Sequence, residues 1–244
     1  MTQADHAPYR PFRLGRTQEF LKQIVYGGND GIVTTFAVVA GFAGAHADGV
    51  AQIGAVAVLV FGMANLLADA VSMGLGEFLS GRAQRDLYGA QKARRIAAIR
   101  HDPAEARARL AGLLRGRGLS PTDADSAAAI ITRTPDMTAE MLMRYENGMG
   151  HPDQDNPAIN GLFTFLSFVV FGIVPLVPYF LLPAEPPTFV LSIGATICAL
   201  GALGLLRWNA TGLGLGRSVG ETMLVGGVCA VVAYVVGMVV GAGA

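Results

Sequence analysis

The stretch that decides the fold is residues 50–80, VAQIGAVAVLVFGMANLLADAVSMGLGEFLS, which has the pattern of one long apolar helix. Within it, Asn65, Asp69, Met73 and Glu77 recur at every fourth position. Because a helix turns by about 100° per residue, this spacing keeps the four side chains in one slowly drifting stripe. An ionisable residue at membrane depth is costly and normally faces a bundle interior or a water-filled path. The stripe therefore predicts an ion route along this helix.

Composition around this stretch indicates a membrane domain with one soluble insertion. Hydrophobic residues make up 52% of the chain and charged residues only 15%. Residues 81–157 hold 22 of the 36 formal charges, 12 basic and 10 acidic. The net charge is zero, so nothing suggests a nucleic-acid partner. The predicted divisions are an N-terminal arm at 1–22, membrane helices at 23–80, the helical insertion at 81–157, and further membrane helices at 158–244.

The sequence predicts an all-α membrane protein with five transmembrane helices and the helical insertion between the second and third. Crossing the hydrocarbon takes roughly 20 apolar residues. Windows of that length fall near 24–46, 50–80, 160–182, 188–206 and 219–241. Lys and Arg concentrate before the first span, in the insertion and around the last loop, which predicts a cytoplasmic N-terminus and a cytoplasmic insertion. High alanine, arginine and glycine content suits a bacterial inner membrane.

Capping residues and prolines in the sequence predict where individual helices begin or break. The second span continues without a breaker into the insertion, where Asp102 and Ser120 each precede a proline and predict helix starts. A third short helix is expected from Asp136 or Thr138 to about Gly148. Pro175 and Pro178 in the third span indicate either a kink or ordinary membrane prolines, and the sequence leaves both interpretations open.

Polar residues also interrupt the first span, in GGNDGIVTTFAVVAG, where Asn29 and Asp30 lie between glycines. Glycine at such positions permits either close helix approach or an unwound turn that lines a cavity. An acid here, as in the second span, indicates either a transport residue or a hydrogen-bonded link between helices.

The motifs IVYGGNDGIVTTFAVVAGFAGA, MANLLADAVSMGLGEFLSGRAQRDL and GIVPLVPYF, in this order with an insertion after the second, resemble the vacuolar iron transporters and their bacterial relatives. The resemblance covers nearly the whole chain. It implies a homodimer with a metal path at the subunit interface, and antiport of cytosolic divalent iron, sometimes manganese, against protons. It implies a transporter rather than an enzyme, with the metal as substrate and no cofactor.

The same resemblance assigns candidate metal residues position by position. Those in or near the membrane are Asp30, Asp69, Met73, Asn65, Glu77 and Glu19. Carboxylate and amide oxygens suit divalent cations, and a thioether favours softer transition metals over Mg²⁺ or Ca²⁺. Simpler roles stay open: Met73 as core packing, Asn65 as an interhelical hydrogen-bond donor, and Glu77 as an ion-pair partner of Arg82.

The insertion departs from the family pattern. Its expected acidic positions fall on Arg95, Ala98, Ala106 and Arg109. On its last helix Met143 and Glu146 are kept as weaker metal candidates, while Leu142 replaces a second methionine. Arginine cannot bind a cation. The sequence therefore predicts a degenerate cytoplasmic metal store.

Three other functions compete with metal–proton antiport. One is a membrane aspartyl hydrolase that uses two intramembrane acids, although the expected glycine-rich aspartate motif is missing. Another is a non-transporting relative whose insertion binds a cytoplasmic partner, and the third is a transporter with a different cargo. Glu221 in the fifth span is expected to cap its helix or face the membrane border.

Overall fold

The computed structural model describes residues 20–46, 55–150, 156–183, 185–212 and 214–242, and the regular elements in these ranges are helices. They are α1 (Leu21–His46), α2 (Ala55–His101), α3 (Pro103–Gly116), α4 (Pro121–Ile131), α5 (Pro135–Glu146), α6 (Pro157–Gly172), a 3₁₀ turn (Val174–Leu176), α7 (Val177–Leu181), α8 (Pro186–Thr211) and α9 (Leu215–Ala242). Two compact units form: a first unit from 1–76 and 160–244, and a second unit, Glu77–Ile159. Helix α2 contributes to both units.

Within the described residues, four helical segments are long and apolar enough to cross a membrane: Val56–His101, Pro157–Leu181, Pro186–Thr211 and Leu215–Gly241. The all-α membrane class predicted from the sequence is therefore confirmed. Helix α1 has 26 residues but is not among the four, since Lys22, Asn29 and Asp30 lower its mean hydropathy. Its crossing, and with it the count of five spans, stays a prediction.

Helix α1 is continuous through its glycine-rich motif, so the glycines serve close packing rather than an unwound turn. A Cβ on Gly27 would lie 2.6 Å from the carbonyl oxygen of Thr164, and a Cβ on Gly31 would collide with the carbonyl oxygen of Phe168. Small residues let membrane helices approach this closely. The first unit therefore brings the backbone of α1 directly onto α6.

The third predicted span is interrupted where its prolines stand. Helix α6 ends at Gly172, and the 3₁₀ turn that contains Pro175 leads into α7 at Val177. Proline lacks an amide donor and clashes with the preceding turn, which breaks a regular helix. The Ser192 hydroxyl donates to the Pro175 carbonyl oxygen at 2.6 Å and so satisfies a backbone acceptor at the break. Of the two interpretations that the sequence left open, the structure therefore favours an interruption at the prolines.

The second unit follows the start signals in its sequence. The Asp102 carboxylate accepts the Glu105 amide at 2.9 Å, and the Ser120 hydroxyl accepts the Asp123 amide at 3.2 Å. Such side-chain acceptors satisfy amides that have no partner inside the helix. Helix α5 begins at Pro135, slightly before the predicted start. The hydrophobic core of the second unit consists of Ile99, Ala106, Leu110, Ala111, Ala128, Ala139 and Leu142.

Candidate metal pathway on helices α1 and α2

The polar stripe on α2 contains an internal hydrogen bond. The side-chain amide of Asn65 donates from Nδ2 to Oδ2 of Asp69 at 2.9 Å. Both side chains are partly buried. Because the two residues are one helical turn apart, the helix itself brings them together. Asn65 thereby orients the Asp69 carboxylate.

Helix α1 carries Asp30, which is partly buried and lies within range of the negative charge of Asp69. The Thr34 hydroxyl donates to the backbone oxygen of Asp30 at 2.8 Å, which holds the α1 backbone in place but leaves the carboxylate untouched. Two negative charges that influence each other favour a cation or a proton near them. The acids of the first two helices are thus linked by the electrostatic influence of Asp69 on Asp30.

Met73 occupies the next position of the stripe and packs on an apolar cluster. This cluster is formed by Leu66, Ala70 and Phe168, and Met73 is partly buried against it. The contact gives Met73 a packing role in the first unit. A role for its sulfur atom as a metal ligand stays a prediction.

The structure gives fewer contacts for the two remaining membrane candidates, Glu77 and Glu19. Glu77 is partly buried and belongs to the second unit. The guanidinium of Arg82 lies 5.8 Å from the centroid of the Phe78 ring. Glu19 lies outside the described residues. Among the residues that the structure does describe, no three His, Cys, Asp or Glu side chains gather into a metal-holding group.

A cavity of about 800 Å³ lies beside Asn65, between α1, α2 and α9. Its lining is apolar apart from Asn65, and Ala64 and Ala68 of α2 also face it. Ala64 and Ala68 are exposed, whereas Asn65 is partly buried. The polar stripe therefore borders an open apolar space.

In the second unit, arginine side chains form ion pairs with glutamates that could otherwise bind a metal. Arg95 pairs with Glu146, with Nη2 and Oε2 3.2 Å apart, and also donates to Oδ1 of Asn147 at 2.8 Å. Met143 is only 1% exposed and is packed in the interior. Arg109 pairs with Glu105 at 2.8 Å across one turn of α3. At four of the expected or candidate metal positions, Arg95, Arg109, Met143 and Glu146, the structure therefore has ion pairs or packing.

Lys92 of α2 and Glu140 of α5 form another ion pair in the second unit, and neither residue was singled out from the sequence. Lys92 donates to Oε1 of Glu140 at 2.6 Å and lies 3.5 Å from Oδ1 of Asp136. The hydrogen bond to Glu140 and the nearby acids raise the pKa of Lys92 despite some loss of hydration. Lys92 precedes Asp136 and Glu140 by more than forty residues in the sequence, so no local pattern predicts these ion pairs. Lys92 thus links α2 to α5 inside the second unit.

Comparison with known proteins now adds to this geometry. A protein-family model described as the VIT family matches residues 21–238. The chain belongs to the VIT family. Among curated relatives, vacuolar iron transporter 1 of Arabidopsis thaliana is 30% identical over 240 residues, covering 98% of this chain and 92% of the relative. A vacuolar iron transporter of Toxoplasma gondii is 33% identical over 239 residues, covering 93% of this chain and 77% of the relative.

A third relative extends the comparison within the VIT family. Vacuolar iron transporter 1 of Oryza sativa subsp. japonica is 30% identical over 229 residues, covering 94% of this chain and 87% of the relative. Together with the four membrane-length helices, VIT-family membership makes this chain an integral membrane protein.

Glu221, which the sequence led us to expect at a helix cap or at the membrane border, forms ion pairs with Arg207 at 2.7 Å and with Arg217 at 3.0 Å.

Proposed function

We propose that this chain is a divalent-metal transporter that carries iron, with manganese as a second cargo, out of the cytosol in exchange for protons. The curated relatives named above are called vacuolar iron transporters. The observations that carry the proposal are two partly buried acids on different membrane helices, Asp30 of α1 and Asp69 of α2, the second of which accepts a hydrogen bond from Asn65.

Exchange follows from the electrostatics of this pair. A carboxylate that is partly shielded from water disfavours its charged form and so competes for a proton when no metal is near. An arriving dication stabilises both charges and expels that proton. Metal and proton therefore compete for Asp30 and Asp69, and the competition couples the two flows.

Other residues of the stripe adjust this site. The Asn65 amide fixes the orientation of Asp69, and its carbonyl oxygen is a further ligand for a divalent ion. The Met73 thioether biases the path toward softer transition metals. Glu77 continues the stripe by one turn on α2, and the family resemblance alone assigns Glu19, which lies outside the described residues, to the entrance.

One chain offers too few ligands to enclose a metal, which supports a homodimer with the path at the subunit interface. Divalent metals take four to eight ligands, depending on the metal. Along α2, small residues recur beside the polar stripe and are exposed: Ala64, Ala68, Ser72 and Gly76. Small exposed residues permit two membrane helices to approach closely. In a background with Cys198 and Cys229 replaced by serine, Ala68→Cys should crosslink between two copies in the membrane, and an uncrosslinked monomer would contradict the dimer.

Topology belongs to the same proposal. Helix α1 crosses the membrane as a fifth span, with the acid Asp30 facing the path instead of lipid. The excess of Lys and Arg before α1 and within the second unit places both on the cytoplasmic side. The membrane is the inner membrane of a bacterium, where the chain would move metal out of the cell.

The experiment is metal uptake into proteoliposomes that contain a pH-sensitive dye, across a panel of divalent ions. We expect Fe²⁺ and Mn²⁺ to move with opposite proton flow, and Asp30→Asn and Asp69→Asn each to abolish both movements. The matched control is Asp86→Asn, which removes an exposed acid from α2 outside the first unit and should leave both flows unchanged. Intact counterflow in the Asp30 and Asp69 variants would contradict the proposed function.

A further inference from the structure

The second unit contains a cavity of its own, with a volume of about 260 Å³. It is bounded by α2, by α5 and by the residues that follow α5. Three thioether side chains line it, those of Met137, Met141 and Met149. Four of the nine methionines of the chain fall within residues 137–149, and three of these four line this one cavity. A concentration of thioether groups is therefore the main chemical feature of the cavity.

Helix α5 and the turn at its end bring these methionines together. Met137 and Met141 are one turn apart, so the helix itself places them on one face. Just after α5 ends, Gly148 has a positive φ of 66°, and the amide of Met149 donates to the Met143 carbonyl oxygen at 3.1 Å. Glycine is the residue that adopts this left-handed conformation at a helix end without strain. The turn thus directs Met149 back toward α5.

Exposure distinguishes the methionines of the cavity from the methionine of the core. Met143 is 1% exposed and fills the interior, as methionine commonly does. Met137, in contrast, is 49% exposed, and Met149 is only partly buried. Met141 is also partly buried and packs against the hydrophobic core of the unit. The three methionines of the cavity therefore keep access to solvent, which packing alone does not require.

Charges around the cavity do not suit a hard dication. Among the described residues that line it, Glu140 is the acid, and its Oε1 accepts a hydrogen bond from Lys92 at 2.6 Å. Arg144 is a base in the same lining. By Coulomb's law its guanidinium repels a dication about twice as strongly as a monovalent cation. Hard dications also prefer several oxygen ligands, which this lining does not offer.

The aromatic rings of the lining do not offer an open face to an organic cation. The guanidinium of Arg117 lies 4.3 Å from the centroid of the Tyr145 ring, and that of Arg144 lies 5.9 Å from it. Cation–π contacts of the Tyr145 ring are thus made within the chain. Tyr88, the other aromatic residue of the lining, is only 7% exposed. The thioether groups are left as the ligands of the cavity.

We propose that this cavity binds a soft monovalent metal cation, Cu⁺, through the sulfur atoms of Met137, Met141 and Met149. Thioether sulfur is a soft ligand, and soft ligands select Cu⁺ over Mg²⁺, Ca²⁺ and Mn²⁺. Methionine has three rotatable side-chain bonds, which allow the three sulfur atoms to converge on one ion. Ag⁺ has the same charge and the same soft character and binds the same site. This site is independent of the proposed transport function, since neither Asp30 nor Asp69 belongs to it.

The test is a titration of Ag⁺ into the full chain in a detergent and buffer that contain no sulfur. Cys198 and Cys229 are both replaced by serine, so that no thiol competes for the ion. We expect tight binding, with sulfur neighbours in the X-ray absorption spectrum of the bound silver. In this background sulfur comes from methionine alone.

Substitutions in the cavity assign the ligands. Met137→Leu, Met141→Leu and Met149→Leu should each weaken Ag⁺ binding about tenfold or more, since even loss of an outer partner of a metal ligand costs that much. Leucine conserves the volume of methionine and so preserves packing. Met238→Leu removes an exposed methionine of α9 and is the matched control, with unchanged affinity expected. Cu⁺ kept reduced under anaerobic conditions should rank the variants in the same order.

Several outcomes would overturn this site. They are bound silver with only oxygen or nitrogen neighbours, displacement of Ag⁺ by a modest excess of Mn²⁺, and equal affinities in the Met238→Leu and cavity variants. Should a variant at a partly buried position fail to fold, Met137→Leu decides at an exposed position, and unchanged affinity there would refute the site. Asp30→Asn should bind Ag⁺ normally even if it does not transport, whereas loss of Ag⁺ binding in Asp30→Asn would move the ion to the candidate pathway and refute the cavity.

Discussion

Asn65 donates its side-chain amide to the carboxylate of Asp69 across one turn of α2, with Nδ2 and Oδ2 2.9 Å apart. A hydrogen bond to a charged acceptor is worth about 1.5–3 kcal/mol in proteins, and less for polar pairs inside membranes. The bond orients Asp69, one of the two acids that the proposal places on the metal path. Asn65 is therefore a positioning residue for Asp69 in the proposed path.

Asn65→Ala should weaken metal transport without abolishing it. The Asp69 carboxylate stays in place but loses its orientation, so we expect KM for Mn²⁺ uptake to rise roughly three- to tenfold, equivalent to about 1 kcal/mol. Asn209→Ala removes an exposed amide from α8 and serves as control. An unchanged KM in Asn65→Ala would remove this positioning role.

Gly31→Ala should destabilise the first unit. Its added Cβ collides with the carbonyl oxygen of Phe168, a backbone atom that cannot rotate away. Overpacking of this kind costs about 1–3 kcal/mol. Gly41→Ala on the same helix meets nothing within 4 Å and is the matched control. Thermal unfolding in detergent should show a lower Tm for Gly31→Ala alone, and equal values for both variants would contradict the close packing of α1.

Arg95→Glu should convert an ion pair into a metal site. The new carboxylate would stand beside Glu146, which Arg95 now neutralises at 3.2 Å. Without metal the like charges repel and lower the Tm of the chain, whereas Mn²⁺ bound between them restores it. Arg95→Ala removes the pair without adding a ligand, so Mn²⁺ should not rescue it. Equal responses of the two variants to Mn²⁺ would show that this position cannot be made into a metal site.

The hydrogen bond between Lys92 and Glu140 should appear as a raised pKa of Lys92. Its contribution to stability is complete below the ordinary lysine pKa of 10.5 and is lost as the pH rises through the raised value. Lys22 and Lys92 are the lysines of the chain, so NMR of ¹³C-methylated lysine resolves them. Glu140→Gln should lower the pKa of Lys92, and an unchanged titration in that variant would contradict the bond.

Features that depend on neighbours in sequence were predictable. The stripe from Asn65 to Glu77 follows from helical periodicity, and the helix starts at Asp102 and Ser120 follow from side chains that cap their own helices. The break at Pro175 follows from the missing amide of proline. Each of these depends on residues within about one helical turn.

Features that depend on packing were not predictable. Asp30 and Asp69 belong to different helices, and only the resemblance to a family suggested that both lie on one path. The partners of Lys92 and the Arg207–Glu221 pair join residues brought together by the fold, whereas the Arg217–Glu221 pair lies within one turn and was open to prediction. Tertiary contacts, unlike periodicity, leave no local pattern in a single sequence.

The central claim is that Asp30 and Asp69 hold one metal ion and release protons as it binds. The measurement that tests it most directly is titration calorimetry of Mn²⁺ into the purified chain in two buffers of different ionisation enthalpy. We predict proton release on binding in the unaltered chain and in Asp86→Asn, and loss of both binding and release in Asp30→Asn and Asp69→Asn. Mn²⁺ binding of equal affinity with no proton release, or binding unaffected by either substitution, would contradict the account.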